Sequence, residues 1–308
     1  MAKSRAKVAV VGSSNMDLVV KSDRIPIVGE TILGGDFLMV PGGKGANQAV
    51  AAAKLGAEVF FIAKLGDDIF GTQSLANFKK VGVNTKFISI TKDSPSGVAL
   101  IMVDAKGNNS IVVAPGANQK LSAGDVRKAK ADIASCGAAV AQLEISLETV
   151  MCAAQIAKKA KVPFILNPAP ARELPVELLK LVDVLTPNET EAQILSGVAV
   201  SDETTAKAAA EKLLETGVGT VILTMGIQGY LLAGRGGVEF VGAHKVKAVD
   251  TTAAGDAFTG GLAFALAGGQ PIADAARFAN YVAALSVTKM GAQPSMPSLR
   301  EVEKFMKQ

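Results

Sequence analysis

The sequence has few residues that could bind a transition metal or cross-link the chain. Its 308 residues include only two cysteines, Cys136 and Cys152, and a single histidine, His244. Neither cysteine belongs to a C-x-x-C pair, so the ligands of a structural zinc site are missing. The spacing of the two cysteines does not exclude a disulfide, but two reduced, buried thiols are favoured.

Long apolar segments and clustered charge are also missing. No segment reaches the ~20 apolar residues of a membrane helix. The basic segment Met1–Lys7 leads directly into Val8–Val11, without the longer apolar run and cleavage site of a signal peptide. The net charge is only +4 and the basic residues are dispersed, which argues against nucleic acid as a partner. We therefore expect a soluble, cytoplasmic protein that binds neither membrane nor nucleic acid.

Short β-branched runs alternate along the chain with longer segments of helical spacing. The runs are Val8–Val11, Val59–Ala63, Ala138–Leu143, Pro163–Leu166, Val182–Leu185 and Val221–Thr224. The helical segments include Gly45–Leu55, Leu147–Ala160, Glu189–Leu195 and Thr205–Glu215. This alternation predicts an α/β fold of three layers, in which a mostly parallel central sheet carries helices on both faces.

Two regions, Leu18–Val40 and Gly97–Val113, read as extended strands without intervening helices. The second contains Lys106–Asn109 between two apolar runs, a pattern typical of a hairpin turn. We predict a small β-layer outside the main sheet, with strands from about residues 16–42 and 96–115. A lid over a site and an edge hairpin fit this pattern equally well. Because no change of composition divides the chain, residues 1–308 are expected to form one domain.

Glycines precede a predicted helix in the segment Pro41–Gln48. Such glycines let the backbone approach a ligand closely. The segment is not a Walker A loop, because Lys44 is followed by Gly45 and not by Ser or Thr. Taken alone, it is better explained by a tight turn between a strand and a helix than by a ligand site.

The segment Val249–Gly261 combines small residues with two carboxylates. Small residues at 253 to 255 leave the first N–H groups of a helix uncovered, and such a helix start can bind an anion. Asp256 then lies in the first turn, beside that anion site. A simple helix-capping role would explain Asp256, but it would not explain the run of small residues flanked by Asp250.

Two further segments follow predicted strands. In Leu185–Glu191, Asn188 and Glu191 have the spacing of a capping box, and they could alternatively hold water around a phosphate-bound Mg²⁺. Thr224–Gly229 has glycine spacing that suits either a nucleotide or a plain hairpin turn. Because each of the four segments follows a predicted strand, we expect all of them to converge on one edge of a parallel sheet, where ligands bind.

At these residues the chain resembles the PfkB family of carbohydrate kinases, along nearly its whole length. Gly42–Val50 is similar to the first signature of the family, and Asp250–Phe258 is similar to the second, which is very specific. Three more segments look like those of members that phosphorylate ribose, namely Leu166–Ala171, Thr186–Glu191 and Gly291–Ser295.

The resemblance implies transfer of the γ-phosphate of ATP to the 5-hydroxyl of D-ribose, with Mg²⁺ and a monovalent cation such as K⁺ as cofactors. Asp256 would be the catalytic base, and the backbone N–H groups of Ala253, Ala254 and Gly255 would form an anion hole. The sugar would be held by Asn15, Asp17, Gly43, Lys44, Asn47 and Glu144, and Asp256 would contact it as well. The nucleotide site would be lined by Asn188, Thr224, Gly226, Gly229, Gly255 and Asn280.

The same resemblance implies that Glu191 lies near Mg²⁺ and contacts it through water. Oxygen atoms for K⁺, many of them from the backbone, would come from Asp250, Thr252, Ser286, Lys289, Gly291 and Ser295. A homodimer paired through the lid strands is implied as well. Asn280 departs from the histidine that packs on adenine in some members, so nucleotide affinity is expected to differ.

Other acceptors within the family are fructose, deoxyribose and adenosine. The Gly42–Asn47 segment, together with Asn15 and Asp17, favours ribose. A non-catalytic sugar sensor on the same fold would be expected to lose its base or its anion hole. Asp256 and Ala253–Gly255 are both present, so catalysis is favoured over sensing.

Overall fold

Thirteen strands form two separate sheets in the computed structural model, which describes residues 5–308. Residues 1–4 of the basic N-terminal segment Met1–Lys7 lie outside the described residues. The strands are β1 Lys7–Val11, β2 Asn15–Lys21, β3 Phe37–Gly42, β4 Glu58–Gly66, β5 Ile88–Thr91, β6 Gly97–Val103, β7 Asn109–Ala114, β8 Ala138–Ala141, β9 Phe164–Leu166, β10 Val184–Leu185, β11 Thr220–Thr224, β12 Gly229–Gly234 and β13 Gly237–Gly242.

Twelve helices cover the strands in this described part of the chain. They are α1 Lys44–Lys54, α2 Ile69–Lys80, α3 Ala123–Lys128, α4 Lys130–Ala134, α5 Leu147–Ala160, α6 Val176–Leu179, α7 Glu189–Ser196, α8 Glu203–Glu215, α9 Ala254–Ala267, α10 Ile272–Ser286, α11 Ala292–Ser295 and α12 Leu299–Phe305. No helix within residues 5–308 combines the length and apolar character needed to cross a bilayer.

The main sheet has nine strands in the order β13-β12-β11-β10-β9-β8-β1-β4-β5. Neighbours from β11 to β5 pair in parallel, whereas β12 is antiparallel to both of its neighbours. On β1, which lies between β8 and β4, Val8 lies opposite Val59 of β4 and Ala138 of β8. The predicted mostly parallel sheet is therefore confirmed, and an antiparallel hairpin extends one of its edges.

Side chains of β1 alternate between two hydrophobic cores, one on each face of the main sheet. Val8 and Val10 pack with buried residues of α1, α2, α9, α10 and α12. Ala9 and Val11 pack with buried residues of α3 to α8 on the opposite face. This arrangement confirms the three predicted layers. Cys136 and Cys152 belong to the second core as free, buried thiols.

The second sheet has four strands in the order β3-β2-β6-β7. Strand β2 pairs in parallel with β6, while β3 and β7 pair antiparallel at the two edges. Residues 104–108 join β6 to β7, and Gly107 adopts a φ of 84° there, so the predicted hairpin turn is confirmed. The predicted extended region Leu18–Val40 is interrupted, because residues 22–36 form no strand.

Candidate active site

A cleft of about 310 Å³ lies between the small sheet and the carboxyl ends of the main-sheet strands. Most of the residues predicted to bind ligands line it. They are Asn15, Asp17, Gly43, Lys44, Asn47, Glu144, Asn188, Glu191, Thr224, Thr252, Ala253, Ala254, Gly255 and Asp256. Residues from distant parts of the sequence thus meet in one cavity of the size that binds small molecules.

The start of helix α9 opens into this cleft. Ala253, the residue before the helix, has a left-handed φ of 60°, and no side chain among residues 5–308 caps the helix. A Cβ atom built on Gly255 would meet no heavy atom within 4 Å. The N–H of Ala254 donates to the carbonyl of Thr251 (3.2 Å), whereas the N–H groups of Ala253 and Gly255 have no hydrogen-bond partner among residues 5–308. Together with the helix dipole, these two N–H groups favour an anion at this point.

Asp256 lies in the first turn of α9 and is buried. It does not cap the helix. Its Oδ2 accepts a hydrogen bond from Asn47 Nδ2 (2.9 Å), and its Oδ1 accepts one from Gln48 Nε2 (2.9 Å). Burial raises the pKa of Asp256, although the Lys44 ammonium and the two amide donors act to lower it. The carboxylate is thus held in place and is more basic than usual.

Asp17, on β2 of the small sheet, lines the same cleft. No donor among residues 5–308 makes a hydrogen bond to its carboxylate. Burial, with the charges of Glu144 and Asp256, raises the pKa of Asp17 to about 7. A carboxylate in this position gains from hydroxyl groups of a ligand that donate to it.

Glu144 and Lys44 line the same cleft as these two carboxylates. Glu144 Oε2 accepts hydrogen bonds from Ser13 Oγ and from the backbone N–H of Lys44, the latter at 3.0 Å. Burial acts to lower the pKa of Lys44, but the carboxylates of Asp256 and Glu144 hold it above its usual value. Lys44 therefore remains a cation inside a cleft that contains several carboxylates.

Gly43 joins the small sheet to helix α1 at a position that leaves no room for a side chain. Its φ is 88°, and an added Cβ atom would lie 2.6 Å from the backbone nitrogen of Asn15. This close approach places the start of α1, with Lys44 and Asn47, against the first residue of β2. The glycine segment is thus more than a tight turn, because it joins two walls of the cleft.

Asn188 and Glu191 form the capping box that their spacing predicted. Asn188 Oδ1 accepts from the N–H of Glu191 (2.8 Å), and Glu191 Oε2 accepts from the N–H of Asn188 (2.9 Å). Both residues also line the cleft. Burial raises the pKa of Glu191, despite the opposing effect of its bond to the Asn188 N–H. Capping and a place in the cleft therefore coexist in this pair.

The predicted nucleotide segment Thr224–Gly229 is a turn between antiparallel strands. A short 3-10 turn, Gly226–Gln228, joins β11 to β12. Thr224 reaches the cleft, but Gly226 and Gly229 are not among its lining residues. Asn280 on α10 also lies outside, and its Nδ2 donates to the carbonyl of Gly242 (3.0 Å).

Residues predicted to bind K⁺ come from two loops that meet. Asp250 accepts from the backbone N–H of Gly291 (2.8 Å) and of Thr252 (2.9 Å). The N–H groups of Val249 and Asp250 both donate to the carbonyl of Val287, at 2.7 and 3.2 Å. Three further predicted ligands, Ser286, Lys289 and Ser295, lie at the end of α10, in the loop after it and in α11.

The expectation that every ligand segment directly follows a strand of the parallel sheet was wrong in part. Two segments do follow such strands: Leu185–Glu191 follows β10, and Thr224–Gly229 follows β11, which pairs in parallel with β10. The other two do not, because Pro41–Gln48 follows β3 of the small sheet and Asp250–Asp256 follows irregular residues after β13. The segments still converge, because the small sheet folds over the edge at which the parallel strands end.

Several buried amide side chains that support the cleft were not predicted as site residues. Gln48 bonds to Asp256, and Asn167 bonds to Gln48. Asn118 Nδ2 donates to Asn15 Oδ1 (2.7 Å), while its Oδ1 accepts from the N–H of Ser14 (2.9 Å). Gln48 belongs to the first glycine segment, so its position was a usable signal. Asn118 has no comparable pattern around it.

The profile of the pfkB family carbohydrate kinases matches residues 5–299. The ribokinase of Haemophilus influenzae is 44% identical over 302 residues, which cover 98% of this chain and 99% of that protein. The deoxyribokinase of Salmonella typhi is 41% identical over 300 residues, covering 97% and 98% of the two chains.

Solved structures agree with these sequence relatives. The structure of Arabidopsis thaliana ribokinase complexed with ribose and ATP superimposes with a TM-score of 0.92, at 33% identity and 99% coverage of both chains. The ribokinase of Thermotoga maritima gives a TM-score of 0.89 at 38% identity, covering 98% of this chain and all of that one, 100%. The chain therefore belongs to the pfkB family of carbohydrate kinases.

Proposed function

We propose that this protein is a ribokinase, which transfers the γ-phosphate of ATP to the 5-hydroxyl of D-ribose and yields ribose 5-phosphate. The observation that carries the proposal is that Asp256, beside the uncapped start of α9, shares one cleft with Asp17, Asn47 and Glu144. Relatives named ribokinase cover nearly the whole chain. One solved relative was captured with ribose and ATP together.

In this proposal Asp256 accepts the proton of the sugar hydroxyl as that oxygen attacks phosphorus. The pKa of Asp256 is raised, which brings the carboxylate closer to the basicity that general-base catalysis favours. Phosphoryl transfer passes through a loose transition state, so positioning and charge neutralisation contribute most of the rate. The N–H groups at the start of α9 would stabilise the charge that develops on the transferred group.

The sugar would be held on the other side of the cleft. Asp17 has no hydrogen-bond donor among residues 5–308, and sugar hydroxyls would supply that donor. Lys44 and Glu144 would bond to further hydroxyls beside it, with Asn15 and Asn47. The small sheet above them would act as a lid that excludes water from the transfer step.

Nucleotide would lie against Asn188, Thr224 and Gly255 in the cleft, with Gly226, Gly229 and Asn280 farther along the same side. Asn188 and Thr224 are joined by a parallel β-bridge. The proposed adenine end would thus be formed by the β11–β12 turn and the face of α10 that carries Asn280.

The residues present fit a hydrated Mg²⁺. Glu191 lines the cleft and uses Oε2 to cap α7, so water-mediated contact from its carboxylate is compatible with this role. Within residues 5–308 there is no cluster of three metal-binding side chains, and Mg²⁺ often relies on substrate phosphates and water for ligands. When bound, Mg²⁺ would neutralise phosphate charge.

Potassium is also compatible with the residues present. The loops that contain Asp250, Thr252 and Gly291 are fastened together by hydrogen bonds, and oxygen-rich loops of this kind suit a hard cation. Ser286, Lys289 and Ser295 would add further oxygens. When bound, the cation would stabilise the loop that leads into the start of α9.

We further propose a cytoplasmic homodimer paired through the small sheets. The small sheet exposes several large apolar side chains, namely Phe37, Leu38, Met39, Leu100, Ile111 and Val112. Exposed apolar surface of this kind is typical of an interface. Sedimentation velocity should give a dimer for the wild type and a monomer for a Leu100→Asp, Val112→Asp double variant.

A coupled assay with ATP and a panel of sugars tests the proposed function. D-ribose should give the highest kcat/KM, with deoxyribose next and fructose and adenosine much lower. Deoxyribose remains the main rival acceptor because relatives of similar identity are deoxyribokinases. A higher kcat/KM for deoxyribose would replace ribose in the proposal, and no ATP turnover with any sugar would reject it. Repeating the assay without K⁺ tests the cation.

A further inference from the structure

A chain of buried carboxamide side chains runs from Asp256 into the body of the protein. Gln48 Nε2 donates to Asp256 Oδ1 at 2.9 Å and to Asn167 Oδ1 at 3.2 Å. Gln142 Nε2 donates to Gln48 Oε1 at 2.6 Å. Gln48 and Gln142 are both fully buried. These contacts place two glutamines in series behind the carboxylate.

A backbone carbonyl fixes the orientation of every amide in this chain. Asn167 Nδ2 donates to the carbonyl oxygen of Thr186 (3.0 Å), which can only accept. Asn167 must therefore turn Oδ1 toward Gln48, and Gln48 must donate to it from Nε2. The Oε1 of Gln48 then points away from Asp256, and Gln142 supplies the donor that this buried oxygen needs.

We propose that Gln48 and Gln142 are positioning residues that keep an N–H group, and not a carbonyl oxygen, against the buried oxygen of Asp256. If the Gln48 amide turned over, its oxygen would face the carboxylate and its Nε2 would lose two acceptors. The hydrogen bonds of this relay, from Gln142 to Gln48 and from Gln48 to Asp256, prevent such a turn. The remaining lone pairs of Asp256 can then accept hydrogen bonds from groups in the cleft. The inference depends on the proposed role of Asp256 as the base.

Gln142 gives the inference a clean test, because it does not line the cleft. Its Oε1 lies so close to Gly12 that a Cβ atom there would come within 2.0 Å, and it accepts no hydrogen bond among the described residues. Only its Nε2 is engaged, with Gln48. An effect of Gln142 on the basicity of Asp256 would therefore be transmitted through Gln48.

The experiment compares Gln48→Met and Gln142→Met with the wild type through the pH dependence of kcat/KM for D-ribose. Removing a donor that favours the charged carboxylate raises the pKa of Asp256, so activity is lost on the acidic side. We expect the acidic limb to move up by about one pH unit in Gln48→Met. Gln142→Met should move it in the same direction by less, and both variants should recover activity at high pH.

Thr149→Val is the matched control for a lost buried hydrogen bond. Thr149 is fully buried, and its hydroxyl donates to the carbonyl of Leu121 (2.8 Å) on the other side of the fold. Its acidic limb should coincide with that of the wild type. The inference is overturned if the limb of Gln142→Met also coincides with the wild type while Asp256→Asn is inactive. If Asp256→Asn remains active, the proposed base itself is wrong.

A second measurement needs no variant and applies even if the methionine variants do not fold. In the wild-type protein, the side-chain NH₂ resonances of Gln48 and Gln142 should titrate in NMR spectra at the pH of the kinetic limb. Asn77, whose Nδ2 donates to Gln293 Oε1 at 2.7 Å, serves as the amide control and should not titrate. Flat titration curves for both glutamines would also overturn the relay.

Discussion

Two carboxylates that line the same cleft, the buried Asp256 and the half-buried Asp17, differ in what surrounds them. Asp256, in the main body, is held by two amide donors and lies close enough to Lys44 for that charge to act on its pKa. Asp17, on the small sheet, has no donor among residues 5–308, and its pKa rises to about 7. The first carboxylate is fixed before any ligand arrives, whereas the second gains its partners from a ligand. The contrast separates a chemical role from a binding role.

Replacing Asp256 with Asn should have the largest effect. The change keeps the shape of the side chain and removes the proton acceptor, so kcat should fall by ~10²–10⁴-fold. Steady-state kinetics with ATP and D-ribose measure this loss. Thermal unfolding should show an intact fold as the control, and turnover near that of the wild type would remove Asp256 from the mechanism.

Asp17→Ala should affect binding more than chemistry. Hydrogen bonds from sugar hydroxyls to a charged carboxylate would be lost, so KM for D-ribose should rise by ~10–100-fold. KM for ATP is the internal control, since Asp17 lies on the proposed sugar side, and it should stay close to that of the wild type. A sugar KM that does not change would show that the small sheet does not bind the sugar through this residue.

Asn118→Ala probes the contact between the main body of the protein, which carries Asn118, and Asn15 on the small sheet. Asn118 orients Asn15 by donating to its Oδ1, which leaves Asn15 Nδ2 free to donate to a ligand. Loss of one such orienting hydrogen bond should raise KM for D-ribose by ~3–10-fold and change kcat little. A drop in kcat with no change in KM would show instead that Asn118 supports phosphoryl transfer and not sugar binding.

Asp17→Asn tests the pKa difference through stability. The folded state binds the Asp17 proton more tightly than the unfolded state does. The free energy of unfolding of the wild type therefore includes a contribution from this proton that is fully present below about pH 4 and is lost as the pH rises through about 7. The Tm of Asp17→Asn relative to wild type should therefore increase between pH 5 and pH 8. At an unfolding entropy of ~2.1 cal/mol/K per residue, a chain of 308 residues shifts by about 1.5 °C per kcal/mol. A constant Tm difference would contradict the raised pKa.

Local patterns in the sequence were sufficient to predict much of the fold. The β-branched runs and helical spacing predicted the central parallel strands and three layers. The spacing of Asn188 and Glu191 predicted their capping box. The residues at 253 to 255 predicted an uncapped helix start, because small side chains cannot cover its N–H groups.

Contacts between distant residues were beyond those local patterns. Gln142 and Gln48 are 94 residues apart, and Asn118 and Asn15 are 103 apart. Only the folded chain brings them together. The antiparallel β11–β12 pair was only one of the two interpretations left open for Thr224–Gly229, since a short apolar run carries no sign of its direction in a sheet. The sequence thus indicated most residues that line the cleft, whereas the supporting residues Gln142 and Asn118 are evident only in the folded chain.

The most direct test of the contrast between the two carboxylates is calorimetric titration of D-ribose into Asp256→Asn and Asp17→Ala, read beside their kcat values. We predict that Asp256→Asn binds the sugar nearly as tightly as the wild type while turning over ~10²–10⁴ times more slowly. Asp17→Ala should bind it weakly and still turn over at saturating sugar. The opposite pattern, weak binding in Asp256→Asn and slow turnover at saturation in Asp17→Ala, would contradict this prediction.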